Sequence, residues 1–446
     1  MLKIALRVIV LFAVVIGGFV LWLAWPDTAK LPVEAVAGSR PDITAPRVQT
    51  FPTIKVADAI GWPQGRTPVA AAGLKVAAFA KGLDHPRWLY RLPNGDVLVA
   101  ETNSPPREGG GIQGWVMNLL MGKAGARVPS ANRITLLRDT NGDGVADQRS
   151  VFMTGLNSPF GMALMEGQLY IANTDALVRV PYREGQTRID ARPETLVKLN
   201  PAGNHWARNV IAARDGKSLF VSVGSATNIA EKGMEAEKYR ANILQVTPDG
   251  GWRIFAAGLR NPNGMALNPA TGNLWTVVNE RDMLGSDLAP DYLTQVEFGD
   301  HFGWPWYYWG GYRDDRVEPR NPALQEYSKR PDYALGPHVA ALGLTFSGDV
   351  RLGGQWASGA FVGEHGSWNR KPVSGYKVVY VPFAASGYPA KGGKPVDVLT
   401  GFLDADGKAM GRPVGVIGDN SGALLVADDV GNTIWRVSEA GQVATR

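Results

Sequence analysis

Short apolar runs bounded by turn residues recur along this chain. Leu169-Tyr170-Ile171-Ala172, Leu274-Trp275-Thr276-Val277 and Leu424-Leu425-Val426-Ala427 are of strand length, and each follows a variant of one phrase. Pro159-Phe160-Gly161-Met162-Ala163-Leu164 returns as Pro262-Asn263-Gly264-Met265-Ala266-Leu267 and, loosely, as Pro413-Val414-Gly415-Val416. Turn, strand, Gly-containing hairpin and second strand repeat together, which predicts copies of one β-unit. Two more units start differently: His85-Pro86-Arg87-Trp88 before Pro93-Asn94-Gly95-Asp96, and His205-Trp206-Ala207-Arg208 before Asp215-Gly216. A fifth unit over 344–380 is weakly marked, and a sixth covers 412–437. Units of roughly 50 residues, enough for a four-stranded blade, predict an all-β fold, a six-bladed β-propeller over residues 74–446. The weak fifth unit leaves five or seven blades open.

The pattern changes at the N-terminus. After Lys3 and Arg7, the run from Val8 to Trp25 has no charge and is long enough to span a bilayer. It ends Trp22-Leu23-Ala24-Trp25-Pro26, with Trp at the expected interface level. Residues 1–26 are therefore expected to form an N-terminal transmembrane helix, a cleaved signal being the other reading. Positive residues ahead of the span put the rest of the chain outside the cytoplasm, in the periplasm of an inner-membrane protein. Residues 27–73, rich in Pro and Ala, read as a linker. Two insertions interrupt the β pattern. Residues 107–130 hold the apolar stretch 115–121, suited to the membrane surface or to packing on the propeller. Residues 300–336 hold Trp304-Pro305-Trp306-Tyr307-Tyr308-Trp309, which either wall a pocket or fill a loop core.

Composition narrows the chemistry. Among 446 residues there are 54 Gly, 30 Pro and 14 Trp, in keeping with a turn-rich β protein. There is no cysteine, which excludes disulfides, thiolate metal sites and cysteine nucleophiles. The net charge is +5 with no dense basic run, so nothing points to nucleic acid. Neither a GxSxG elbow nor an HExxH pair occurs.

His205 sits at a strand start, where propellers place functional groups around the channel, and is a candidate general base; Arg208 follows it. Arg260 and Asn261 immediately precede the repeated Pro262, and a fixed Arg suits a developing oxyanion. Asn279-Glu280-Arg281-Asp282 is an oxygen-bearing loop suited to a hard cation. Asp139, Asn141, Asp143 and Asp147 match the early positions of a calcium loop, with Gly144 at its turn. Ser150 stands where that loop needs a bidentate Glu, and a polar hairpin is the alternative. His365, Arg370 and Lys371 crowd one segment, fit for an anionic cofactor or for a surface turn.

In order and spacing, Gly203-Asn204-His205 with Arg208, Leu259-Arg260-Asn261-Pro262-Asn263-Gly264, Phe302-Gly303-Trp304-Pro305 and Arg412-Pro413-Val414-Gly415-Val416 resemble the soluble glucose dehydrogenase and L-sorbosone dehydrogenase family. The resemblance covers residues 82–437, and the Asn279, His365 and Ala427-Asp428-Asp429 runs look most like the sorbosone branch. It implies a six-bladed propeller that uses pyrroloquinoline quinone (PQQ) and Ca²⁺ to oxidise an aldose or related sugar, with electrons passed to a quinone or cytochrome. It implies that His205 takes the hydroxyl proton and Arg260 polarises the quinone. Arg208, Asn261, Arg412 and the basic group of His365, Arg370 and Lys371 would bind the cofactor, and the Arg281-Asp282 loop would hold Ca²⁺. The chain departs from the family at Asn204, where glucose enzymes often carry Asp. It departs again at Arg281-Asp282 in place of a Gly-Pro-like turn, and in lacking a second Arg beside Arg412. A calcium-dependent lactonase-type hydrolase and a non-catalytic binding propeller are the other readings.

Overall fold

The computed structural model describes residues 7, 12, 14–18, 27–49, 52–106, 121–201 and 203–441. Six antiparallel sheets carry the repeat. Blade 1 runs Pro86–Arg91, Val97–Glu101, Arg133–Arg138, Gln148–Met153 from the axis outward. Blade 2 runs Met162–Met165, Gln168–Ala172, Ala176–Pro181, Glu194–Lys198. Blade 3 runs Arg208–Ala212, Leu219–Val223, Asn242–Val246, Trp252–Ala257. Blade 4 runs Asn261–Leu267, Leu274–Asn279, Pro290–Val296, Tyr333–Pro337. Blade 5 runs Ala341–Phe346, Gly359–Glu364, Lys377–Pro382, Val396–Thr400, with Val69–Ala70 added at its edge. Blade 6 takes Pro413–Gly418, Leu424–Asp428 and Thr433–Glu439 from the end of the chain, and its outer strand, Leu74–Lys81, from before blade 1. The ring is thus closed by pairing the two ends of the repeat.

The repeated glycine has a packing reason. The first strands of successive blades pack around the axis. A Cβ on Gly264 would lie 2.6 Å from the Leu342 carbonyl of blade 5, and one on Gly415 would lie 2.8 Å from the Arg87 carbonyl of blade 1. Only a residue without a side chain lets neighbouring backbones approach so closely. Apolar side chains between adjacent sheets, such as Trp275, Leu344 and Val379, make the core.

The expected linker is docked, not loose. Gln49 N donates to Met283 O, Lys55 N to Trp368 O, and Ile60 N to Ala409 O, so residues 27–49 and 52–62 run across blades 4, 5 and 6. Trp62 closes the run, donating to Asp428 Oδ2 at 2.6 Å. Of the expected anchor only residues 7, 12 and 14–18 are described, and they are helical. Among the described residues no helix is long and apolar enough to cross a membrane. Most of the apolar stretch 115–121 lies outside the described residues as well.

Candidate active site

First and second strands pair antiparallel, so the start of one lies opposite the end of the other. Asn261 faces Asn279, Pro413 faces Asp428, and Pro86 faces Glu101. The residues just beyond these pairs gather at one end of the channel: His85, His205, Arg260, Glu280 to Asp282, His365, Arg412 and Asp429. At the opposite end a cavity of about 530 Å³ is walled mainly by apolar groups such as Met162, Ile211, Met265 and Phe346.

His205 has a defined tautomer. Its Nδ1 lies 2.9 Å from Ser225 O and 3.0 Å from Ser225 Oγ. Ser225 Oγ spends its own hydrogen on Thr227 O at 2.6 Å. Both Ser225 oxygens therefore face Nδ1 as acceptors, Nδ1 carries the proton, and Nε2 keeps the lone pair of a base. Burial, then the positive charge of Arg260, holds the imidazole pKa well below 6.5, so the ring is neutral at physiological pH. The backbone beneath is clamped: His205 O accepts from Arg208 Nη1 at 2.7 Å and from Arg240 Nη2 at 2.8 Å. A Cβ on Gly224 would reach within 2.7 Å of His205 Cβ, so glycine there lets His205 and Asn261 stand side by side.

Arg260 is fully engaged. It donates to Asp282 Oδ2 at 2.9 Å, Asn228 Oδ1 at 2.9 Å and Glu280 O at 2.6 Å. His338 lies 3.5 Å from the other oxygen of Asp282. Asp282 is half-buried, and desolvation pushes its pKa up, yet Arg260 and His338 outweigh that and draw it down to about 2. Trp304 Nε1 donates to Asn228 O, holding the asparagine from behind.

A second polar group lies where blade 6 meets blade 1. Asp429 Oδ2 accepts from His365 Nε2 at 2.8 Å and Arg87 Nη1 at 2.7 Å, and His85 Nε2 stands 3.5 Å away. Arg412 donates to His365 O and Gly366 O, each at 2.9 Å, and its guanidinium lies 5.1 Å from the Tyr376 ring centre. Burial, then the charge of Arg412, lowers the His365 pKa to about 3; burial opposes ionisation of Asp429, but its contacts with His365, His85 and Arg87 outweigh it and carry it far below the usual carboxylate range.

A family model described as TrAA12-like matches residues 68–296 and 312–440. The chain belongs to the TrAA12-like family. An uncharacterized protein of Borreliella burgdorferi is 29% identical over 63% of this chain and 76% of its own length. The pyrroloquinoline quinone-dependent pyranose dehydrogenase of Coprinopsis cinerea is 26% identical over 73% of this chain but only 47% of its own length. The calcium structure of Trichoderma reesei Carbohydrate-Active Enzymes Family AA12 superposes with a TM-score of 0.67 at 19% identity, covering 87% of this chain and 99% of that one.

Within this TrAA12-like chain, His205, Arg260, Asn261, His365 and Arg412 share one end of the channel, as expected. Others depart from their expected places. Arg208 is wholly buried and donates to the carbonyls of Asn200, His205 and Ala207, so it positions His205 and has no reach to a cofactor. Arg370 is buried and bonds the carbonyls of Leu31, Ser286 and Pro372, which ties down the docked N-terminal segment. Lys371 is exposed beside it, and its carbonyl accepts from Ala29. Arg281 is buried under the loop, paired with Glu280 and Asp314. The Asp282 carbonyl already accepts from Asn228 and Arg316. The Asp139–Asp147 loop is a polar hairpin: Asp139 accepts from Gly142 N and Gly144 N, Asn141 from Asp143 N, Asp143 from Val145 N, and Asp147 from Thr140. Its oxygens are turned onto its own backbone. Among the described residues no three or more His, Asp or Glu are grouped to hold a metal. Trp304, Tyr307, Tyr308 and Trp309 are buried, so the aromatic insertion fills a loop core.

Proposed function

We propose that this protein is a PQQ-dependent sugar dehydrogenase acting on an aldose or related sugar. The observation that carries the reading is His205: a neutral imidazole held through Nδ1 so that Nε2 keeps its lone pair, within electrostatic reach of the fixed cation of Arg260. Such a pair suits removal of a hydroxyl proton next to a group that gains negative charge. PQQ, the cofactor named for the C. cinerea relative, would supply the two-electron acceptor. The residues fit such a group. Asn261 Oδ1 and Arg87 Nε are buried without a hydrogen bond, and the Arg412 guanidinium donates to the His365 and Gly366 carbonyls and not to a carboxylate, which suits a polycarboxylate. Asn261 and Arg412 would hold it, and Arg260 would face its reactive end. His205 would hold the abstracted proton at Nε2 while Ser225 keeps the ring oriented. Calcium, expected on the carbonyls of the Arg281-Asp282 loop, would meet an Asp282 carbonyl that already accepts from Asn228 and Arg316. A lactonase reading gains nothing from the residues gathered here.

The finer parts of the proposal are an acceptor of the quinone or cytochrome kind, a sorbosone-like substrate, and membrane attachment through residues 1–26 with the propeller in the periplasm. The last predicts that the full chain sediments with membranes after an alkaline wash. The main test is reconstitution with PQQ and Ca²⁺ and a screen of aldoses with a dye acceptor. Turnover should require PQQ; no turnover on any sugar, with no change in quinone absorbance, would sink the reading.

A further inference from the structure

We propose that the docked N-terminal segment is a positioning element for Arg260: residues 27–49 and 52–55 hold the loop from Asp282 to Asp287, and that loop holds the guanidinium. The proposal rests on the reading above of Arg260 as part of an active site. Asp282 is the carboxylate paired with Arg260 among the described residues, at 2.9 Å. The residues that follow it are bound in turn by the segment. Met283 O accepts from Gln49 N at 3.2 Å, and Leu284 O from Arg47 N at 2.9 Å. Ser286 N donates to Asp27 Oδ2 at 2.6 Å, and Asp287 Oδ2 accepts from Lys30 N at 2.8 Å. The Met283 N–H is reached through a bridge: the Asn369 amide accepts from it at 3.1 Å and donates to Thr53 O at 2.9 Å.

The loop needs such support. Met283 takes the left-handed conformation, φ 70°, directly after the residue that pairs with Arg260. A residue with a side chain keeps that conformation only where its surroundings over-determine it. Here both the N–H and the C=O of Met283 are tied to the segment, one through Asn369 and one directly. At Gly285, φ 99°, an added Cβ would come within 3.1 Å of Asp27 Oδ2, so loop and segment fit closely. The segment is itself fastened: Asp27 N and Gln49 Nε2 both donate to Thr53 Oγ1, and Asp27 and Thr53 are buried. A shift of Met283 is carried to the adjoining Asp282 and from there to Arg260. Misplacing a reacting group by about 1 Å can cost about 100-fold in rate. A segment that only added stability would change resistance to urea and leave the rate alone.

The test uses the full chain. Asp27→Ala removes the acceptor of Ser286 N, and Asp27→Asn keeps an acceptor oxygen there. Asn369→Leu removes the Thr53 bridge and carries the test if Asp27→Ala fails to fold. Each variant is loaded with PQQ and assayed on the aldose that wild type turns over fastest, alone and combined with Arg260→Gln. A kcat lowered at least about tenfold in Asp27→Ala, restored to within about threefold of wild type in Asp27→Asn, supports the positioning role. In the Arg260→Gln background the same substitution should cost less than about twofold, because no guanidinium is left to place. Equal losses in the two backgrounds, or a lower urea midpoint with kcat unchanged, would overturn it. Hydrogen exchange of the apo protein separates this inference from the dehydrogenase reading. Asp27→Ala should speed exchange in peptides covering 282–288 and leave those of blade 2 unchanged. If wild-type protein shows no PQQ-dependent turnover, the dehydrogenase reading falls on its own and exchange decides the rest. Faster exchange confined to 282–288 then supports the hold on the loop; unchanged or uniformly faster exchange overturns it.

Discussion

Two clusters at the same end of the channel contain the same three residue types, Arg, Asp and His, yet they are finished to different degrees. Around Arg260, each part has its place: one Asp282 oxygen on Arg260, the other near His338, with Asn228 bridging and Glu280 O closing the fan. Around Asp429, one oxygen serves Arg87 and His365 with His85 close by, while the other oxygen and two ring or guanidinium nitrogens go unused. Satisfied networks are rigid and hold a fixed field, whereas unfinished ones retain capacity for a partner. The contrast is between a network whose charged groups are matched and one with buried donors and an acceptor to spare.

The comparison can be broken most forcefully at the carboxylates. Asp429→Asn leaves a buried cation without its counter-charge and should cost about 3 kcal/mol in urea denaturation. Asp282→Asn should cost less, because Arg260 keeps its Asn228 and Glu280 acceptors; equal losses would erase the distinction. The Asp282 contribution also has a predictable pH window. Its folded pKa of about 2 lies below the ordinary value of about 4, so its stabilisation is complete above the ordinary value and is lost as pH falls through about 2.

His205→Ala sharpens the catalytic side: kcat should drop at least about 100-fold in the PQQ-loaded enzyme, with little change in PQQ affinity. A loss confined to affinity would make His205 a binding residue. A smaller effect concerns pH. Because Arg260 helps hold the His205 pKa well below 6.5, the acid limb of kcat/KM should lie well below 6.5 in wild type and move upward in Arg260→Gln. An acid limb that stays put would remove the coupling between the two residues. Least affected should be the hairpin pair Asp143→Asn and Asp147→Asn, which should leave turnover unchanged whether or not Ca²⁺ is added.

The propeller was legible because its demand on sequence repeats: Gly264 and Gly415 each face a neighbouring backbone, so the same residue is needed at the same place in several blades. Leu74–Lys81 could not be given to blade 6 from sequence, since its partner Thr433–Glu439 lies at the far end of the chain. His205, Arg260 and Arg412 were legible because strand starts face the channel. Arg208 and Arg370 misled because sequence displays an arginine's charge but not the carbonyls it is buried against. Arg87 and Asp429 were missed although a signal existed: Arg87 adjoins a strand-start proline, as Arg412 does, and Asp429 follows the second strand of its blade as His365 does. Asn228 and His338 sit in loops with no repeated phrase, and no pattern pointed to them.

The closure of blade 6 bears on biosynthesis. A ribosome delivers Leu74–Lys81 early and Thr433–Glu439 last, so the early strand has no partner until nearly the whole chain has emerged. Arg412 and Asp429 flank the strands that this late pairing secures. Blades 1 to 5 can form on the nascent chain, but the seam that Arg87 shares with Asp429 exists only once blade 6 has been made. A chain that stops short of blade 6 therefore keeps His205 and Arg260 but has neither Arg412 nor Asp429.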